Sequence, residues 1–470
     1  MNVFFLTISK SQIKCQWFIL LYDICRMKQI LLFGAGKSAT VLIDYLLANA
    51  EKENWKLIVV DTNLQLALDK IKNSSFGTAV SFDIMDDKQR EKHIRNAGIV
   101  ISMLPPALHS KVAKDCVHFS KHLLTASYVD DEIRSMQTEI KNKNLLFLCE
   151  IGLDPGIDHM SAMKLIDTIH AKGGHISSFK SHCGGLVAPE SDNNPWHYKI
   201  SWNPRNIVLA GKAGAVYKKN NEIFNIGYKS VFESNETVNI HGLGDLAFYP
   251  NRDSLSYIPV YGLEETSTFI RTTLRHPSFC KAWNCVVKAN LTDEESFASF
   301  ASKRISYREW LDKSISLHTT AKNFEEFLNQ YAPGADKMLI KDMFEYLDLL
   351  SEKDIPLTAT SSADVLQFVL ENKLYLLQHD KDMIVMLHEF DYTINGQPST
   401  VNSSLIVKGE NNLHTAMAKT VGLPLGIAAK LILNGTITTT GLHIPIVKEI
   451  YEPVLKELEQ YDIKFNEKVI

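Results

Sequence analysis

The sequence predicts an α/β fold: a doubly wound parallel sheet, followed by an α+β unit that is interrupted by a helical insertion. Three observations carry this. Between Met27 and about Glu150, six short apolar runs alternate with amphipathic stretches, the pattern of parallel strands joined by crossover helices. The first run leads at once into Gly34-Ala35-Gly36-Lys37-Ser38-Ala39, a glycine turn opening a helix toward Leu47. Beyond residue 150 the texture changes, with glycine, proline and aromatic residues breaking up short strand-like pieces before a long stretch of helical periodicity.

The six runs are Ile30 to Phe33, Leu57 to Val60, Ala79 to Phe82, Ile99 to Met103, Leu123 to Ala126 and Leu145 to Cys149. In the middle, Gly184-Gly185 and Tyr249-Pro250-Asn251-Arg252-Asp253 suggest loops over a cleft. From about Leu291 to Leu377 the apolar sets Phe324, Phe327, Leu328 and Met343, Leu347, Leu350 read as helices. Strand-like runs return at Met383 to Phe390 and Ser404 to Val407, and Ala416 to Leu433 reads as a helix. The apolar run Trp17 to Tyr22 is too brief to span a bilayer and lacks a basic leader and a small-residue cleavage pattern. Because Met27-Lys28-Gln29-Ile30 reads as the natural start of the first strand, residues 1 to 26 are expected to be a non-native or disordered extension.

At 470 residues the chain exceeds one compact core, so two or three folding units are expected. The net charge of -4, with no basic cluster, argues against a nucleic-acid partner, and nothing points to a membrane. The seven cysteines have no Cys-x-x-Cys spacing, which argues against a zinc cluster or a disulfide scaffold and fits a reducing, cytoplasmic setting. No metal is implied, since no His, Cys or carboxylate set has ligand spacing.

The glycine loop has the context that a dinucleotide site requires. Gly34 permits the tight turn, Gly36 lets the backbone approach a pyrophosphate, and Ala39 allows close helix packing; Ala35, Lys37 and Ser38 complete the loop. Asp61, followed by Thr62, ends the second strand where a ribose hydroxyl needs an acceptor. Asp83-Ile84 would end the third strand near the adenine, although Asp83 reads equally well as a turn or cap residue. Leu104, after Ser102-Met103, would lie beside the nicotinamide.

Past the fifth strand, Thr125-Ala126-Ser127-Tyr128-Val129, Glu150 to His159, Cys183-Gly184-Gly185-Leu186, Tyr249 to Ser254 and Thr273-Leu274-Arg275 resemble the glutamate-forming branch of the saccharopine dehydrogenase family. The resemblance implies a Rossmann-type nucleotide domain over 27–155, completed by about 425–470, an α+β substrate domain over 156–290 and 378–424, and a helical insertion over 291–377. It implies substrate contacts at Ser127, Tyr128, Asp154, Arg252, Thr273, Leu274 and Arg275, and further cofactor contacts at Ala126, Ser127, Leu153, Asp154, Pro155 and Asn203. Tyr128, Asp154 and Cys183 are the candidates for proton transfer, with His159 a further one that reads as well as a core histidine. Asp154-Pro155 also reads as a cap followed by proline at the first helical position. The small-molecule substrate so implied is saccharopine, or L-glutamate with 2-aminoadipate 6-semialdehyde in reverse, whose carboxylates suit guanidinium forks. The fungal members carry an arginine after the second strand, suited to the 2′-phosphate of NADP; with Asp61 in its place NAD is expected to be preferred over NADP. Two rival readings are a reductase of a carboxylated polyamine or another amino-acid conjugate, and a dinucleotide-sensing regulator without turnover. The oligomeric state is open, a homodimer being one allowed form.

Overall fold

The computed structural model describes residues 27–234, 236–295 and 304–470. The expectation for residues 1–26 lies outside them. All six runs form strands: β1 (Lys28–Phe33), β2 (Trp55–Val60), β3 (Gly77–Val80), β4 (Ile99–Ser102), β5 (His122–Thr125) and β6 (Leu146–Leu148). A seventh, Gly441–His443, joins from the far end of the chain. Their order is Gly441–His443, β6, β5, β4, β1, β2, β3, with every neighbouring pair parallel. The chain therefore runs outward from β1 in both directions, and a crevice opens between the carboxyl ends of β1 and β4, where the order reverses. Ile30 to Phe33 are fully buried, as strands covered on both faces must be.

The helix after the glycine loop begins with a short 3-10 turn, Lys37–Ala39, and continues as an α-helix over Thr40–Glu53. Against it lies the helix Ala416–Leu433, at the bounds the periodicity predicts. Small residues permit the approach. A Cβ on Gly422 would stand 2.8 Å from the Leu42 amide nitrogen, and one on Gly426 would stand 2.6 Å from the Tyr45 ring. Gly422→Val should therefore push the helices apart and cost about 1 to 3 kcal/mol; a lower thermal midpoint checks this, and an unchanged midpoint contradicts it. Ala416–Leu433 is, among the described residues, the one helix long and apolar enough to cross a membrane, yet 72% of that window is buried inside the protein.

A second sheet runs in the order Thr237–Ile240, Gly244–Pro250, Thr268–Arg275, β7 (His175–Val187), Asp382–Ile394, Gln397–Lys408 and Asn466–Val469. These pairs are antiparallel except β7 with Thr268–Arg275, which run parallel and set Thr273 beside Cys183. One apolar cluster, including Leu32, Ile166, Phe179, Met386 and Leu425, joins the two sheets. A separate cluster around Trp196, Trp283, Trp310 and Phe344 is built on helices that include Pro277–Lys288, Tyr307–His318 and Ala335–Tyr346.

Candidate functional site

A cavity of about 1280 Å³ lies between the ends of the parallel strands and the second sheet. On the first bank is the glycine loop. Gly34 has φ +97°, and a Cβ there would stand 2.8 Å from the Met103 carbonyl oxygen, so only glycine fits the turn. Its N–H donates to Val60 O, and the Ala35 N–H donates to Asp61 Oδ2 at 2.8 Å. Asp61 Oδ1 accepts from the Asn63 N–H, so two backbone amides fix this carboxylate at the tip of β2. Each oxygen keeps a lone pair for another donor. Gly36, Lys37 and Ser38 line the cavity, with Leu104 following β4.

The remaining nucleotide-side candidates divide in two. Ala126, Ser127, Leu153, Asp154, Pro155 and Asn203 all line the cavity, Asn203 while capping the helix Pro204–Val208. Asp61, Thr62, Asp83 and Ile84 do not. Because β3 ends at Val80 rather than Phe82, Asp83 sits in an exposed turn whose Oδ1 accepts from the Met85 N–H, while Ile84 is buried against the sheet.

On the opposite bank Tyr128, Cys183, Arg252, Thr273 and Arg275 line the same cavity. Arg252 adopts φ +53°, a conformation few side-chain-bearing residues take, and its guanidinium lies 5.1 Å from the centre of the Tyr128 ring. Arg275 is buried above Tyr198 and Phe279, at 5.2 and 5.6 Å from their ring centres. Its Nη1 donates to the carbonyls of Leu274 and Gly185, while its buried Nε has no partner. Among the described residues neither Arg252 nor Arg275 has a carboxylate within ion-pair distance. Leu274 is different: its side chain points into an apolar cluster with Leu186 and Phe248, away from the cavity, because successive strand residues face opposite sides.

Asp154 is not a helix cap. The helix Ile157–Ala171 has Gly156 at its N-cap, and Asp154, two residues earlier, lines the cavity instead. Asp154 Oδ1 accepts from Arg271 Nη2 at 2.7 Å. That same nitrogen donates to Asp158 Oδ2, also at 2.7 Å, and Asp158 Oδ1 accepts from the Gly156 N–H. Burial and the neighbouring Asp158 charge push the Asp154 carboxyl up to about 6, even though Arg271 pulls the other way. Asp158 is held below the usual carboxylate range: burial opposes this, but His159, Arg271 and the Gly156 amide outweigh it. Burial raises both the Tyr128 phenol and the Cys183 thiol.

His159 is fully buried outside the cavity lining, between Glu150 Oε2 at 2.9 Å and the Tyr261 hydroxyl. Tyr257 also donates to Glu150 Oε2, beneath the Arg271 guanidinium. Residue-by-residue reading missed Arg271, Asp158 and Glu150. The signal was period two: Arg271, Thr273 and Arg275 share one face of a strand. It also missed His109, which joins Ser102 Oγ to Ser127 Oγ at 2.8 and 2.7 Å and is held uncharged near neutral pH because burial lowers it to about 4.

Comparison with known proteins gives the family. The family model described as the saccharopine dehydrogenase NADP binding domain matches residues 30–148, and that of the saccharopine dehydrogenase C-terminal domain matches residues 152–463. The chain is similar to the saccharopine dehydrogenase (NADP(+), L-glutamate-forming) of Saccharomyces cerevisiae, with 33% identity over 94% of this chain and 99% of that protein. The Schizosaccharomyces pombe enzyme of the same name is 31% identical, with the same coverage. An alpha-aminoadipic semialdehyde synthase of Arabidopsis thaliana is 32% identical over 95% of this chain, which spans only 45% of that longer protein. Among solved structures, an apo saccharopine dehydrogenase (L-Glu forming) from Saccharomyces cerevisiae superposes with a TM-score of 0.84 at 32% identity, covering 94% of this chain and 100% of that one.

Proposed function

The chain belongs to the saccharopine dehydrogenase family, and on that premise we propose that it interconverts saccharopine, NAD(P)+ and water with L-glutamate, 2-aminoadipate 6-semialdehyde, NAD(P)H and a proton. The observation that carries this is the pair of arginines in one cavity without carboxylate partners, one of them buried with an unbonded Nε–H. A buried cation with spare donors is costly unless a ligand supplies the anion. Saccharopine has three carboxylates to offer, and a carboxylate binds a guanidinium through two parallel charge-assisted bonds. These arginines also weigh against a cofactor sensor without turnover, which has no need of anion clamps on a second bank.

The nucleotide fits the first bank. The Gly34 turn and the amides after it suit a pyrophosphate, and the Asp61 oxygens suit ribose hydroxyls. Bound there by the glycine loop and Asp61, a nicotinamide would supply the acceptor for the hydride that leaves the carbon beside the substrate's secondary amine. The chain's own residues handle the protons. Of the three candidates, Asp154 is the one whose affinity lies near neutrality, so it takes the amine proton as the C–N bond is oxidised to an imine. Water then adds to the imine carbon, a proton returns to nitrogen, and the carbinolamine collapses to glutamate and the semialdehyde. Ser127, its hydroxyl held by His109, orients the substrate together with Tyr128 and Thr273. A reducing, cytoplasmic setting suits the five described cysteines, all of them free.

The fungal relatives are named for NADP(+), whereas Asp61 in this chain favours NAD. Asp61 is fixed where it repels a 2′-phosphate, while Lys37, exposed on the cavity wall, offsets only part of that charge. NAD should exceed NADP by at least about tenfold in kcat/KM, equal to about 1.4 kcal/mol, and Asp61→Ser should narrow the gap. Initial rates with each cofactor at saturating saccharopine check this; equal or better turnover with NADP contradicts it.

A further inference from the structure

Behind Asp154 the structure holds a second carboxylate that cannot reach the cavity. Asp158 is 1% exposed, sits on the first turn of the helix Ile157–Ala171, and takes one of the two Arg271 Nη2 hydrogens, Asp154 taking the other. Arg271 has little freedom to favour either. Its N–H donates to Ser254 Oγ, its carbonyl accepts from the Asn251 N–H, and its guanidinium lies 4.6 Å from the centre of the Tyr257 ring.

We propose that Asp158 is a positioning residue for the reaction: by sharing one guanidinium nitrogen with Asp154 it divides the Arg271 cation between two acids and thereby sets the proton affinity of the one that faces substrate. This rests on the reading of Asp154 as the proton carrier. With Arg271 to itself, Asp154 would be a salt-bridged carboxylate, held ionised far below neutral pH and unable to return a proton. Asp158 accepts a backbone N–H and has the His159 ring 3.8 Å away, whereas Asp154 accepts its side-chain bond from Arg271 and has no backbone amide on its carboxylate among the described residues, so the shared proton goes to Asp154. The ordering of the two acids thus follows from geometry, and the upward displacement of Asp154 agrees with it.

The groups facing Asp154 come from every element around it. The helix Ile157–Ala171 brings Asp158 and His159, the strand Thr268–Arg275 brings Arg271, the loop after β5 brings Tyr128, and β7 brings Cys183. Tyr128 and Cys183 stay neutral near pH 7 because burial raises them, and Glu150 stands behind His159. Among the described residues, Asp158 is therefore the one carboxylate that shares Arg271 with Asp154.

Difference infrared titration of the whole chain tests this by following the carboxylic C=O stretch that is present in the wild type and absent from Asp154→Asn. Its midpoint should lie well above the ordinary aspartate range in the wild type. In the isosteric Asp158→Asn it should fall by about one pH unit or more, since removing a like charge at this range releases shifts of that size. The acid limb of kcat/KM for saccharopine oxidation should move down with it, and Asp158→Glu should restore both. A folded Asp158→Asn with a wild-type midpoint overturns the proposal. Should that variant not fold, a wild-type Asp154 band titrating in the ordinary aspartate range overturns it without any change at position 158. The infrared signal belongs to the carboxyl whatever the enzyme turns over, so a wrong substrate would silence the rates and leave this measurement intact.

Discussion

Arg275→Ala is expected to lower kcat/KM for saccharopine by about 30-fold to several thousandfold, with little change in the KM for the nicotinamide cofactor. Arg275 is buried, its Nη1 is committed to the Gly185 and Leu274 carbonyls, and its Nε–H is left for a ligand. The carbonyl bonds and the Tyr198 and Phe279 rings hold the fork before substrate arrives, so little ordering is needed on binding. Truncation strips a substrate carboxylate of its partner in a partly desolvated place, a loss of about 2 to 5 kcal/mol. The glycine loop lies on the other bank and is untouched. Arg275→Lys should recover only a fraction, because an ammonium cannot present two parallel donors. Steady-state kinetics in both substrates decide it; unchanged saccharopine kinetics in folded protein would remove Arg275 from the site.

Arg271→Met should destabilise the protein by about 3 to 5 kcal/mol near neutral pH, because it leaves buried Asp158 and half-buried Asp154 side by side without their cation. The sign of its pH dependence follows from the charges. In the wild type the Asp158 carboxyl is held down, so its contribution is present above the ordinary aspartate range and is lost as pH falls through its folded value. In the variant both carboxyls are driven up instead, and the penalty applies only while they must ionise. The deficit should therefore be large at neutral pH and shrink steadily as acid protonates both groups. Thermal unfolding of the two proteins across that range reads it directly, and a deficit independent of pH would show that Arg271 acts through packing alone.

Most of the first sheet was legible because each strand is a short apolar run between turn signals, and the periods of two and 3.6 separate strand from helix. Ala416–Leu433 was legible for the same reason: 18 residues of helical pattern after Thr415, whose side chain accepts the Ala418 amide. The strand Gly441–His443 was not visible as a strand, since three residues carry no periodicity and pairing with β6 alone defines it. In the cavity, the family blocks led to Tyr128, Asp154, Cys183, Arg252, Thr273 and Arg275. Leu274 came along as the sequence neighbour of two cavity residues, although a strand turns every second side chain away. Asp154-Pro155 looked like a cap because cap and proline are common at helix starts, while the structure begins its helix two residues later. Arg271, Asp158, Glu150 and His159 form a network from one strand and one helix with its preceding loop, a closeness only the fold creates.

Incubating the full chain with saccharopine and NAD, with the reduced nicotinamide followed by absorbance and the amino-acid products identified, decides whether the cavity oxidises the C–N bond on the 2-aminoadipate side of the secondary amine or another bond. One equivalent each of L-glutamate and 2-aminoadipate 6-semialdehyde is expected for every NADH formed. Lysine and 2-oxoglutarate, the products of oxidation on the other side of the same nitrogen, would contradict it, as would turnover confined to a carboxylated polyamine or no turnover with either cofactor.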